Sequence, residues 1–225
     1  MKRSKRYKAS SDVIKAEAVS LPEGLIAVKQ NPVKFDAGIE VHIKLGIDPT
    51  KSEQIVRGTV SLPHGTGKTK KVVAFVNESK VAEAKAAGAD MIGDDALIAE
   101  IKESGKCDFE VAVATPDMMK KLGPIAKTLG QQGLMPSPKT ETVGDDVKAM
   151  ITDMKGGKVA FRSDDGGNLH LLIGRVSFDD TKLMENLMTF VDAAKKLRPS
   201  DAKGEFMRTI TLSSSMGPGV QIVIE

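Results

Sequence analysis

The sequence predicts an α+β domain split along the chain, an open sandwich with an antiparallel-rich sheet and helices on one face, interrupted by an inserted α/β three-layer domain. Three observations lead there. "GIEVHIKLGID" alternates, with Ile39, Val41, Ile43 and Leu45 on one side, as a half-buried strand does. Between about residues 68 and 156, strand-like and helical patterns take turns, as in βαβ units. The chain then returns to strands and one long amphipathic helix.

In order, helical patterns around residues 11–30 lead to the alternating strand and then to a second strand, "QIVRGTVSL". The middle segment reads "VVAFV", a helix from Glu78, "ADMIG", a helix from Asp94, "FEVAVAT", and helices from Asp117 and Asp145. That alternation is Rossmann-like, but no G-x-G-x-x-G occupies its first turn, so the fold alone gives no licence for a dinucleotide. Next, "KVAFRS" and "NLHLLIGRV" flank Gly166-Gly167 as a hairpin would. A helix over residues 181–197 follows, with Leu183, Leu187, Phe190, Val191, Ala194 and Leu197 on one face, Asp180 as cap and Pro199 as stop. "MRTITLSSS" is the last strand. The outer domain, residues 1–67 and 157–225, thus holds about five strands and two or three helices, and the insert spans 68–156. The crossings near 64–69 and 155–158 carry Gly65 and Gly67, then Gly156 and Gly157, whose conformational freedom suits a hinge. Two connecting strands allow opening and closing rather than free tumbling.

Composition narrows the function classes. No apolar run reaches membrane-spanning length and "MKRSKRYKAS" is not a signal peptide, so a soluble cytoplasmic protein is expected. The single cysteine, Cys107, excludes an internal disulfide and a Cys-based zinc cluster, and its position predicts a structural thiol at a strand start. His42, His64 and His170 have no metal-ligand spacing, so no metal is expected. The doublets Asp94-Asp95, Asp145-Asp146 and Asp179-Asp180 each precede a helical pattern, where capping is the natural role of a carboxylate. Net charge is +3, but the outer segments carry 20 basic against 16 acidic residues and the insert 13 against 14. If nucleic acid binds, the outer domain is favoured. Lys2, Arg3, Lys5, Arg6 and Lys8 form a basic tail that fits either a nucleic-acid arm or a plain solvated terminus.

"SLPHGTGKTKK" contains Gly67-Lys68-Thr69, the tail of a P-loop. The motif's first glycine falls on Leu62, and a strand-like run follows where a helix must begin. A glycine turn between strands is the better reading. A nucleotide-binding enzyme built on the insert stays as the alternative function, with only the βαβ alternation and this tripeptide behind it.

"TLSSSMGPGV" combines hydroxyls, a methionine and a Gly-Pro turn. It is either a strand end and turn or a surface where serine and backbone donors meet phosphate or 2′-hydroxyl groups while Met216 lies against a sugar or base. Together with "KFDAGIEVHIKLGIDP", "VRGTVSLPHGTGK", "AKAAGAD" and "GLMPSPK", in order and spacing over nearly the whole chain, it resembles the large-subunit ribosomal protein L-one family. The resemblance implies a non-enzymatic protein, monomeric when free, without cofactor or membrane attachment. Its expected partners are large-subunit rRNA, at the mobile stalk beside the tRNA exit site, exit-site tRNA, and its own operon mRNA, whose translation bacterial members repress.

Carried over residue by residue, the family's main RNA surface falls on Lys34, Phe35 and Glu40 and on Ser215, Met216, Gly217 and Pro218, with a further contact region at Arg162, Asp164 and His170. Lys34 can neutralise phosphate, Phe35 can pack on sugar, and Glu40 can accept from a 2′-hydroxyl or a guanine edge. Phe35 is alternatively readable as core and Glu40 as a solvated strand residue, and His170 is as readable as a satisfied structural histidine. Two departures stand out: Asp165 where the family usually has lysine, and Gln131-Gln132 where it favours Pro-Arg. Gly130-Gln-Gln-Gly133 imitates a KH-domain GXXG loop, but with no basic residue between the glycines it reads as a helix-ending turn.

Overall fold

A computed structural model describes residues 4–12, 14, 17–31 and 33–224. Lys2 and Arg3 of the basic tail, and part of the helical pattern expected over 11–30, lie outside the described residues. The chain divides into two compact units, Met1–Gly67 with Ala160–Glu225, and Lys68–Val159.

The first unit opens with helix α1 (Lys5–Asp12), strand β1 (Val19–Ser20) and helix α2 (Leu21–Lys29). The expected helical stretch is therefore two helices. Nothing in α1 is buried, so hydrophobic periodicity cannot mark it. Strands β2 (Gly38–Leu45) and β3 (Arg57–Ser61) follow.

The second unit holds β4 (Val72–Phe75), α3 (Glu78–Ala86), β5 (Met91–Ile92), α4 (Asp95–Ser104), β6 (Val111–Ala114), α5 (Pro116–Lys121), α6 (Ala126–Gln131) and α7 (Val147–Lys155). Its sheet has the order β5-β4-β6 with parallel pairing throughout. β4 is buried on both faces, and two separate apolar clusters pack on the two sides of the sheet, one around Phe75, Ile101 and Leu122, the other around Val72, Ile151 and Met154. Asp94 and Asp146 cap α4 and α7, accepting from the amides of Leu97 and Ala149 at 2.9 Å each. Cys107 is half-buried ahead of β6 rather than in it, and burial pushes its thiol pKa up. Just past the end of α6, Gly133 takes the left-handed region, with Leu134 N–H donating to Leu129 O at 2.8 Å; the GXXG segment is a helix end.

The chain re-enters the first unit through β7 (Lys158–Arg162), then β8 (Asn168–Arg175), α8 (Asp180–Lys196), β9 (Met207–Ser214) and β10 (Gly219–Val223). The main sheet has the order β1-β10-β9-β2-β8, antiparallel except for the β1 and β10 pair. Among the described residues this unit has seven strands where about five are expected, because β1 and β10 carry too few buried side chains to announce themselves.

The hairpin expected across Gly166-Gly167 does not form. β7 pairs with β3 in a separate two-stranded sheet while β8 joins β2, so the glycine turn carries the chain from one sheet to the other. α2 and α8 cover one face of the main sheet, where Ile39, Val41, Ile43, Leu169, Ile173 and Leu212 are buried. α8 also holds the small sheet, through Phe190 packed edge-to-face on Phe161 at 5.1 Å. Asp179, not Asp180, sits at its N-cap; Asp180 pairs with Lys29 at 2.5 Å. Leu197, expected on the buried face, is 38% exposed just past the helix end.

Candidate nucleic-acid interface

Strand parity decides what the uncovered face of the main sheet presents. β2 alternates half-buried and buried residues along its whole length, so Glu40, His42 and Lys44 point away from the helices. Register places His42 between His170 on β8 and Thr211 on β9, and Glu40 beside Ser213.

At the Gly38 end of β2 the two main groups of expected contact residues come together. The amide of Ser215 donates to Gly38 O at 2.9 Å, and the amide of Gly38 donates to Ser215 Oγ at 3.2 Å. These bonds sew the segment carrying Lys34 and Phe35 to the β9–β10 turn. Lys34 is exposed and Phe35 is 55% exposed, which removes the core reading of Phe35. Glu40 is half-buried on the outward face. Arg175 and Ser177 fix the same segment from behind, donating to Asp36 O at 2.9 Å and, from the Ser177 amide, to Asp36 Oδ1 at 3.1 Å.

The turn itself is held rigidly. Gly217 N–H donates to Ser214 O at 2.8 Å, and Met216 between them lies in the left-handed region at φ 63° with its side chain 70% exposed. A non-glycine residue there costs about 1–2 kcal/mol, which the surroundings must offset. Buried Asn31 supplies part of that, donating from Nδ2 to Ser214 Oγ at 3.1 Å and to Ser215 O at 3.4 Å. Arg6 donates to Asn31 Oδ1 at 2.8 Å and to Met216 O at 3.1 Å. Gly217 has no room for a Cβ, which would stand 2.3 Å from Ser214 Oγ, and Pro218 is buried.

Asp164 lies at the other end of β2, beyond Asn168, which stands opposite Lys44. Lys44 lies six residues along the strand from Gly38, about 20 Å. The Asp164 carboxylate accepts from the Asn168 side chain at 3.0 Å, the Asn168 amide at 2.6 Å and the Gly166 amide at 2.9 Å. These bonds, with His170, hold its pKa well below the ordinary carboxylate value. Lys44 donates to Gly166 O, closing the same turn, and Asp165 is exposed on it. Arg162 is exposed on the separate small sheet, so the structure does not bring it onto the main sheet with the others.

A row of side chains bridges the two ends. Ser213 Oγ lies 2.9 Å from His42 Nε2, His42 Nδ1 lies 2.7 Å from His170 Nδ1, and His170 Nε2 lies 3.2 Å from Asp164 Oδ2. Sequence reasoning missed His42 and Ser213, although the period-two rule that puts Glu40 on the open face puts His42 there too. It missed Asn31 and the Arg6 contact because nothing local marks them. Burial and the neighbouring His170 lower the His42 pKa, against the opposing pull of Glu40.

The glycines expected at the crossings behave differently from one another. Gly65 and Gly67 both take positive φ, 61° and 71°. Gly65 O accepts from Asn186 Nδ2 at 2.9 Å and Gly67 O from Arg175 Nε at 3.1 Å. Gly157 is also left-handed, at φ 104°, whereas Gly156 at φ −72° simply caps α7.

The ribosomal protein L1p/L10e family model matches residues 25–218, a span that contains the strand entry, both crossings and the Met216 turn. The chain belongs to this family. It is 50% identical to the large ribosomal subunit protein uL1 of Thermobifida fusca over 224 residues, 99% of this chain and 95% of the relative. Similar values hold for the uL1 proteins of Cutibacterium acnes, 50% over 99% and 96%, and Kosmotoga olearia, 49% over 98% and 96%. As an L1p/L10e family member the chain is a ribosomal structural protein and not an enzyme, which overturns the nucleotide-using alternative. α1, with Arg6 reaching Met216 O, precedes the matched span.

Proposed function

We propose that this chain docks its first unit on a folded junction of large-subunit rRNA and forms the mobile stalk beside the tRNA exit site, aiding release of deacylated tRNA. The observation that carries the proposal is the pairing of Gly38 with Ser215, which sets Lys34, Phe35 and Glu40 against the Met216 turn on one exposed edge. A cation, an exposed ring, a half-buried carboxylate and fixed backbone groups are what recognition of sugar, phosphate and base edges asks for. Asp164 and His170 extend the surface toward the far end of the main sheet, and Arg162, on the small sheet, is proposed as a separate contact.

The second unit we read as a Rossmann-like insert, on the strength of its three parallel strands with apolar clusters on both sides. Gly65, Gly67 and Gly157 are the proposed hinge positions, with Gly156 as the helix end beside them. The same RNA surface would hold the messenger RNA of the protein's own operon and repress its translation. The protein acts in the cytoplasm, on the ribosome, and is monomeric when free.

The test is filter binding of the full chain to a transcript of the large-subunit rRNA stalk region. Ser215→Ala and Met216→Ala are each expected to weaken it by about 1–3 kcal/mol, the scale of a lost buried polar or stacking contact. Unchanged affinity in both variants would overturn this assignment of the surface. For the repressor role, the protein added to translation of its own transcript should lower synthesis.

A further inference from the structure

We propose that His42 and Ser213 belong to the RNA-contacting face, and that RNA docking there draws one proton onto the His42–His170 pair and turns the Ser213 hydroxyl from the histidine toward the ligand. The proposal rests on the reading of this face as an RNA surface.

The distances allow one consistent direction for the hydrogen bonds. Asp164 as a carboxylate accepts from His170 Nε2–H, which leaves His170 Nδ1 bare. The facing His42 Nδ1, 2.7 Å away, must then carry the proton between them. His42 Nε2 is therefore bare in the neutral pair and accepts from the Ser213 hydroxyl at 2.9 Å. In that state the serine's only proton is spent inside the protein.

Adding one proton at His42 Nε2 keeps every other bond of the row. Ser213 Oγ becomes the acceptor, its O–H is released toward the open face, and the pair gains one positive charge. A second proton has no place, because it would set two N–H groups head-on across 2.7 Å. The groups that face the pair have been placed by register: Glu40 and Lys44 on its own strand, Thr211 and Ser213 on β9, and Asp164 at the turn after β7. Glu40 Oε2, 3.9 Å from His42 Nε2, favours the added proton, and Lys44 is engaged with Gly166 O. Burial and the neighbouring His170 lower the His42 pKa, so a polyanion docked on this face is what favours the added proton at His42.

A released O–H beside a cationic imidazole suits a phosphate oxygen or a 2′-hydroxyl. Proton linkage then gives the readout: affinity for RNA rises as pH falls, by up to about tenfold per pH unit within the titration window.

The experiment measures affinity of the full chain for the stalk-region transcript between about pH 5 and about pH 8 at constant ionic strength. The wild type is expected to show the slope; His42→Gln and His170→Gln are expected to bind with the slope lost, and His64→Gln, altered at a histidine paired with Glu185, to keep it. Equal slopes in wild type and His42→Gln, with binding retained, would overturn the proposal and leave the RNA reading intact. Absence of binding by the wild type at every pH would overturn both. In the free protein, imidazole 15N shifts should place the protons on His42 Nδ1 and His170 Nε2 at neutral pH; the opposite tautomers would also overturn it.

Discussion

Asn186, on the buried face of α8, holds Gly65: its side-chain amide donates to the glycine carbonyl at 2.9 Å while its oxygen accepts from the neighbouring His64 amide at 3.1 Å. The same amide donates to Ile173 O at 2.7 Å, so one buried side chain ties the outgoing crossing to β8. Gly67 is held next to it by Arg175 and packs on Phe178, which a Cβ would approach to 2.9 Å. Movement at the proposed hinge glycines Gly65 and Gly67 must therefore loosen these contacts.

Replacing Asn186 by Leu removes all three hydrogen bonds and strands the buried Ile173 carbonyl. A stability loss of about 2–3 kcal/mol is expected in urea titration, since an unsatisfied buried partner costs about 1–3 kcal/mol. Faster hydrogen exchange at the His64 amide should accompany it. An unchanged midpoint would show that Asn186 is not the anchor.

Gly217→Ala forces a methyl group against Ser214 Oγ and Asn31 Nδ2, at 2.3 and 3.0 Å. Overpacking of this kind costs about 1–3 kcal/mol. The thermal midpoint should fall, and RNA affinity with it, because the clash disturbs the bonds that shape the turn.

Lys34→Gln is expected to act on charge alone, since Lys34 is exposed. The slope of log affinity against log salt should flatten by about one unit, the share of a single phosphate contact. An unchanged slope would place Lys34 off the RNA.

Asp164 is held below its ordinary pKa of 3.8, first by the Asn168 side chain and then by the Asn168 amide, His170 and Gly166. A depressed carboxylate contributes stability above its unfolded pKa and loses it as pH falls through the folded value. Wild type should therefore exceed Asp164→Asn in melting temperature at neutral pH, and the gap should close below about pH 3.8. The group is largely exposed, so the gap is small.

The parts of the fold legible in sequence are those in which one periodicity runs long enough to show. β2 alternates over eight residues, and α8 repeats its buried face from Leu183 to Ala194. Asp94 and Asp146 mark two helix starts because a cap is a local device. What stayed hidden depends on distant partners. β7 and β8 look like a hairpin, yet Phe161 on β7 packs on Phe190 of α8 and β8 finds a longer partner in β2. β1 has two residues and is a strand only because β10 lies beside it. In the candidate site, Met216 and Gly217 announce a turn, but its anchor Asn31 is 183 residues from Ser214 along the chain. The His42–His170 contact spans 128 residues and follows from register alone.

Met216 stands out from the surface on a backbone locked from both sides by Asn31 and Arg6. The loss of conformational freedom in that turn is settled once, when the chain folds, and does not recur at each encounter with a partner. Weakening the lock, as in Asn31→Ala, should therefore shorten the lifetime of a complex while leaving its capture rate nearly unchanged.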